Sequence, residues 1–364
     1  DLDVELFQSF SLLGQDRTQS RPLSDILTKF GVSAGTVVGV TGWKHFTSGE
    51  GASPDTMLEI PSYIVDLLRE LTGDRSKVLN ANGLLMSAED GMRIVNEPEQ
   101  LAWFEFAATY ASQGVRNVLF ADKVGKTEYA LAEAMKLNGI PQSCHPMLSA
   151  GDRAFYGMGS PSSRRVKHQD PFTTAIGLWG SLTSRGGFIV ESADELPENI
   201  SDYLEKLVIP YFRAIVMWYE TVGIGTTGGA LYDVIHRQIG DPFFGVALNP
   251  GHFVHLDEWV NSPVFAGSNI RLESGMALQV DVIPAAGTPY YTTNLEDGVI
   301  LADEALREEL SGTYQSAWRR IEARREFMRD TLGITLKPEV LPLSNLQGYL
   351  APFLLAPDTA LRVV

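Results

Sequence analysis

The stretch Asn249-Pro250-Gly251-His252-Phe253-Val254-His255-Leu256-Asp257-Glu258-Trp259 places two imidazoles and two carboxylates within seven positions. Shortly after it, Gly275-Met276-Ala277-Leu278-Gln279-Val280-Asp281-Val282-Ile283-Pro284 sets one acid into an otherwise apolar run. Strand alternation sends Met276, Leu278 and Val280 to one face, and Ala277, Gln279 and Asp281 to the other. A carboxylate inside a buried strand is costly unless it is paired, hydrogen-bonded or bound to a cation. Glu296-Asp297 follows on a further strand-like run. Taken singly, His252 and His255 read equally well as structural histidines, and Asp281 as a satisfied core acid. Taken together with Glu296, they read as a site.

Upstream of this cluster the chain repeats itself. A helical pattern runs from Glu97 through Leu101, Phe104, Phe106, Ala107 and Tyr110, to end near Gly114. A second helix opens at Gly125-Lys126-Thr127-Glu128, with Thr127 as N-cap and an acid in the first turn. Strand-like segments come next, at about 142–149, 171–178 and 184–191. A long helix over roughly 200–221 and another opening at Gly225-Thr226-Thr227 restart the series. Gly125, Thr127, Ala130 and Leu131 recur as Gly225, Thr227, Ala230 and Leu231. Two helices followed by strands, given twice, imply two similar α/β halves about a pseudo-two-fold axis.

The flanks complete the organisation. Residues 1–86 read as a small α/β domain, with a glycine-bounded strand at Gly35-Thr36-Val37-Val38-Gly39-Val40 and a helix from Pro61 to Leu71. The catalytic-type domain occupies 87–303. Residues 304–364 give a charged helix to about Leu332 and an apolar, proline-punctuated tail, too greasy to float free and so expected to pack on its own subunit or a partner. At 44% hydrophobic and 20% charged, the composition is that of a globular protein. A net charge of −16 argues against nucleic-acid and anionic-membrane partners, which require a basic surface. The single cysteine, Cys144, permits no intramolecular disulfide, so a cytoplasmic location is expected. The start at Asp1, without methionine or a signal-peptide pattern, suggests a fragment of a longer chain.

The Gly-His pair, the Gly-Met with an acid six residues on, and the Glu-Asp of the later strand are similar in order and spacing to the prolidase, aminopeptidase P, methionine aminopeptidase and creatinase (peptidase M24) family. The likeness runs from about Glu97 to Asp303. It implies an α/β (α+β) chain with the duplicated "pita-bread" catalytic domain, and a homodimer. In the family's metal-dependent members two aspartates, one histidine and two glutamates hold two ions, often manganese, cobalt or zinc, that activate a bridging water. By this resemblance His252 matches the metal histidine, Glu296 matches the second glutamate, and Asp281 replaces the first, one methylene shorter.

The aspartates have no counterparts. Gly177 and Gly180 set the register of Gln169 to Gly187, which leaves Ala175 and Ser184 where the two acids belong. Alanine cannot ligate, and a neutral hydroxyl is a poor ligand for a divalent cation, so a two-metal centre is not expected. Creatinase implies a metal-free alternative with a catalytic histidine before a proline. Here that stretch is Tyr156-Gly157-Met158-Gly159-Ser160-Pro161, with glycine in the histidine's place.

The leading expectation is therefore a hydrolase acting on a C–N bond of a small, cationic substrate without cofactor. His252, Asp281 and Glu296 are its catalytic candidates, and His255, Asp257, Glu258, Arg185 and Tyr156 its substrate contacts. A non-catalytic ligand-binding protein of the same fold is the alternative. An Xaa-Pro peptidase with one divalent metal on His252, Asp281 and Glu296 is the third reading. Gly223 to Gly229 reads as a helix-opening turn, lacking the Lys-Ser/Thr of a phosphate loop. Trp43-Lys44-His45-Phe46 reads as core or surface, with a lesser claim to reach a dimer partner's site.

Overall fold

A computed structural model describes residues 3–7, 13–14, 16, 21–259 and 261–364. The chain forms two compact units, Asp1–Met92 and Arg93–Val364. In the first, α1 (Leu23–Lys29), β1 (Val38–Val40), α2 (Ser62–Thr72), β2 (Val78–Asn80) and α3 (Asn82–Met86) follow in order, and β1 pairs with β2 in parallel. Helix α2 starts just after Pro61, whose fixed φ suits a helix start, and ends at Gly73, whose left-handed φ of 70° lets its N–H reach back to Arg69 and Glu70.

The second unit is built on α4 (Pro98–Leu119), α5 (Glu128–Ala132), β3 (Met147–Ala150), β4 (Pro171–Leu178) and β5 (Ser181–Phe188). Then come α6 (Ile209–Thr221), α7 (Gly228–Ile239), β6 (His252–Phe253), β7 (Ala277–Asp281) and β8 (Asn294–Leu301). Helices α8 (Glu304–Thr313) and α9 (Gln315–Glu326) precede β9 (Val340–Pro342). The strands form one antiparallel sheet in the order β3-β4-β5-β8-β7-β6, and β9 pairs with β8 at the end away from β5. The tail thus packs within its own unit, with Leu341, Leu343, Leu350 and Leu354 buried.

The internal repeat extends to individual bonds. Gly125 and Gly225 share φ = 82°, and their N–H groups donate to Val166 (2.8 Å) and Leu272 (2.7 Å). Thr127 and Thr227 each accept from the N–H three residues on, capping α5 and α7. Arg165 and Arg271 reach back to the carbonyls of Gly125 and Gly225, at 2.7 and 2.9 Å. This pair of arginines is absent from the four matching positions that suggest the repeat in sequence.

Helix α4 departs from expectation by running past Gly114 to Leu119. A Cβ on Gly114 would lie 2.5 Å from Ile176 Cδ1 and 2.8 Å from the Met135 carbonyl, so this glycine serves close packing and does not stop the helix. The strand expected at 184–191 lies at 181–188. Its turn is Trp179-Gly180, where Gly180 has φ = 95° and abuts Phe104.

Arg185 was expected to reach the pocket and does not. Alternation along β5 turns it away from Ser184, and its guanidinium is spent on buried partners. It binds both oxygens of Asp297 (3.1 and 2.8 Å), and donates to the carbonyls of Tyr349, Ser184, Glu296 and Leu346. Burial pushes the Asp297 pKa up against the opposing pull of Arg185. Removing one member of such a pair strands a buried charge. Arg185→Met is expected to lower the unfolding free energy by about 3–5 kcal/mol in urea titrations, and Arg185→Met/Asp297→Leu to recover much of the loss. A single variant within about 1 kcal/mol of the parent would contradict this role.

Candidate active site

Sheet register brings the site together. Across four adjacent antiparallel strands, Ala175 pairs with Ser184, Ser184 with Glu296, and Glu296 with Asp281. Antiparallel partners share a face, so these four side chains form one row. His252 enters from the neighbouring edge strand, paired with Gln279, which shares the Asp281 face.

His252 is fully buried, and its Nε2 lies 3.6 Å from Asp281 Oδ2 and 3.6 Å from Glu296 Oε1. Glu258, from the loop after β6, approaches the same nitrogen at 3.2 Å. The other ring nitrogen, Nδ1, lies 2.9 Å from the Phe253 carbonyl, a contact that fits Nδ1–H as donor. The Nε2 contacts are ion-pair distances without hydrogen-bond alignment, and Asp281 Oδ1 and Glu296 Oε1 are likewise buried without a hydrogen-bond partner. Buried polar atoms in this state call for an explanation, and three of them belong to this one cluster.

Electrostatics follow from this crowding. For His252, burial is the largest single influence and opposes its charge. Contacts with Asp281, Glu258 and Glu296 together outweigh burial and hold its pKa well above the ordinary histidine value. Burial, then the like charge of Asp281, pushes Glu296 well above the ordinary carboxylate value. The thiol of Cys144 is raised to about 11, first by burial and then by Glu258 and Glu296.

The remaining candidates divide. His255 is three residues from His252 yet faces different partners. Its Nδ1 lies 3.2 Å from Arg93 Nη2, its Nε2 lies 3.4 Å from Gln100 Nε2, and its ring stands edge-on to Phe104. Burial first, and Arg93 next, lower its pKa to about 4, so it is neutral at physiological pH. Asp257 pairs with Arg93 at 2.6 Å. His255 and Asp257 thus anchor the loop that carries Glu258, and the structure does not bring either one to the His252 cluster. Arg93 and Gln100 were not foreseen, since nothing in local spacing links them to residues about 160 positions away. Tyr156 is 81% exposed and edge-on to Phe155, a ring at the surface.

The donor set does not fit two metal ions. Ala175 offers only a methyl group, and Ser184 Oγ is engaged by Asn294 Oδ1 at 3.1 Å. The ligand atoms of His252, Asp281 and Glu296 lie within 4.8 Å of one another, the compass of a single cation.

No family model matches the sequence, and no curated protein does. Solved structures do resemble it. A prolidase from Pyrococcus horikoshii OT3 superposes with a TM-score of 0.60 at 16% identity, covering 78% of this chain and 75% of that one. An Xaa-Pro dipeptidase from Bacillus anthracis gives 0.57 at 17% identity, over 78% and 73%. An X-Pro aminopeptidase from Thermotoga maritima MSB8 gives 0.55 at 15%, over 79% and 77%. The chain has the pita-bread fold of these proteins.

Both His252 and Glu296 bind protons more tightly folded than unfolded. Stability from these two groups is therefore full below their unfolded values, about 4.5 for Glu296 and 6.5 for His252, and is lost as pH rises. With a chelator present, unfolding free energy is expected to fall as pH rises above about 4.5, more steeply beyond 6.5. Glu296→Gln, an uncharged stand-in for the protonated acid, is expected to flatten that fall and to exceed the parent in stability at pH 8. A steeper fall in the variant, by denaturant titration across pH, would contradict the assignment.

Proposed function

We propose that the chain is a hydrolase that takes a small cationic molecule into the His252–Glu258–Asp281–Glu296 cluster and cleaves a C–N bond in it without a two-metal centre. One observation carries this reading: three carboxylates converge on one buried imidazole. Three acids against one base leave the cluster short of positive charge, and a substrate amine, amidine or guanidinium supplies it.

In the proposed reaction water adds to the carbon of the scissile bond. Its proton passes to the ionised form of Glu296, a base strengthened by its raised pKa. His252, protonated near neutral pH, gives its Nε2 proton to the departing nitrogen as the C–N bond breaks, and recovers a proton from Glu296 for the next cycle. Asp281 and Glu258 hold the substrate cation. Homodimer formation and a cytoplasmic location belong to the same proposal, and no described helix is long and apolar enough to cross a membrane.

Two other readings have specific support. Ligand binding without turnover is favoured by Ala175 and Ser184, which break the two-metal pattern, and by the glycines at 157 and 159. A single cation on His252, Asp281 and Glu296 is favoured by their mutual distances.

Thermal-shift screening against amines, guanidino compounds and prolyl dipeptides, followed by product assays on the hits, tests the proposal. A cationic hit is expected to be turned over, and His252→Ala to lower kcat by about 10²–10⁴-fold while binding persists. A cationic ligand that binds the parent without any product would leave the binding reading standing and overturn the hydrolase.

A further inference from the structure

The first unit holds a cavity of about 670 Å³ that takes no part in the site above. That volume lies in the range of small-molecule pockets. One wall is a single face of α2, where Ser62, Val65, Asp66 and Arg69 recur at helical spacing. Apolar side chains of Phe46, Met57 and Ile60 also line it, together with Arg75.

Three charged side chains line this cavity, Asp66, Arg69 and Arg75. Among the described residues neither Arg69 nor Arg75 has a carboxylate within ion-pair distance. Arg69 Nη2 donates to the Thr56 carbonyl at 3.2 Å, but its Nε is buried with no acceptor. Asp66, on the same wall, is exposed and is also unpaired among the described residues. Two guanidiniums and one carboxylate leave a net charge of +1 in a lining that also holds Phe46, Met57 and Ile60.

We infer that this cavity binds a monoanionic amphiphile, a carboxylate on an apolar body. Its head engages Arg69 and Arg75, and its body lies along Phe46, Met57 and Ile60. A planar guanidinium fork suits a carboxylate, and the single excess positive charge matches one negative head.

Calorimetric titration of the full chain with octanoate, octanol and octylamine tests this. Octanoate is expected to bind saturably, and octanol and octylamine at least about tenfold more weakly, as loss of a charge-assisted pair predicts. Arg69→Met and Arg75→Glu are each expected to weaken octanoate by at least about tenfold. Arg75 is exposed, so Arg75→Glu carries the test should Arg69→Met fail to fold. Absence of octanoate binding, equal binding of octanol, or octanoate affinity unchanged in Arg75→Glu would each overturn the inference. Amine and guanidine ligands of the His252 site serve as a separate control and are expected to be unaffected by either variant.

Discussion

Asp281 and Glu296 stand directly opposite one another on adjacent strands, both buried, with His252 Nε2 3.6 Å from each. Like charges in that relation destabilise a sheet, and burial multiplies the penalty. The arrangement holds because the imidazole supplies a positive charge from the edge strand, and the crowding makes Glu296 bind its proton more tightly than an ordinary carboxylate. Everything around the site serves this balance. The loop anchored by Arg93 on Asp257 and His255 delivers Glu258 to the same nitrogen. On the opposite face of the sheet, the neighbouring acid Asp297 is neutralised separately by Arg185. Two adjacent acids, Glu296 and Asp297, thus do opposite work: one is left under-compensated in the cleft, the other is locked into the core.

That division explains how much of the site was legible in the sequence. His252, Asp281 and Glu296 could be grouped because a glycine-bounded motif, a strand period of two and a family-like order all pointed to the same residues. Glu258 came with them by proximity along the chain. His255 and Asp257 lay just as close in sequence, but the direction each side chain takes depends on Arg93 and Gln100, which no local pattern connects to them. Arg185, a candidate substrate contact, follows Ser184 directly on β5, and strand alternation places it on the other face of the sheet. Tyr156 ends a short 3-10 helix and faces solvent.

The fold was more readable than the site because it rests on repetition. Thr127 and Thr227 cap equivalent helices, and the glycine two residues before each needs the same left-handed turn. Such local demands leave a mark in sequence. Helix ends set by tertiary packing do not: Gly114 looks like a stop signal, and only the nearness of Ile176 and the Met135 carbonyl shows that it is a contact point.

The row Ala175–Ser184–Glu296–Asp281 decides what chemistry this cleft supports. Half of it carries carboxylates and half does not, and Ser184 already spends its hydroxyl on Asn294. Counting bound manganese at saturation, by equilibrium dialysis of chelator-stripped protein, tests this most directly. The account predicts no more than one ion per chain. Two ions per chain, bound in a way that Asp281 and Glu296 substitutions abolish, would contradict it.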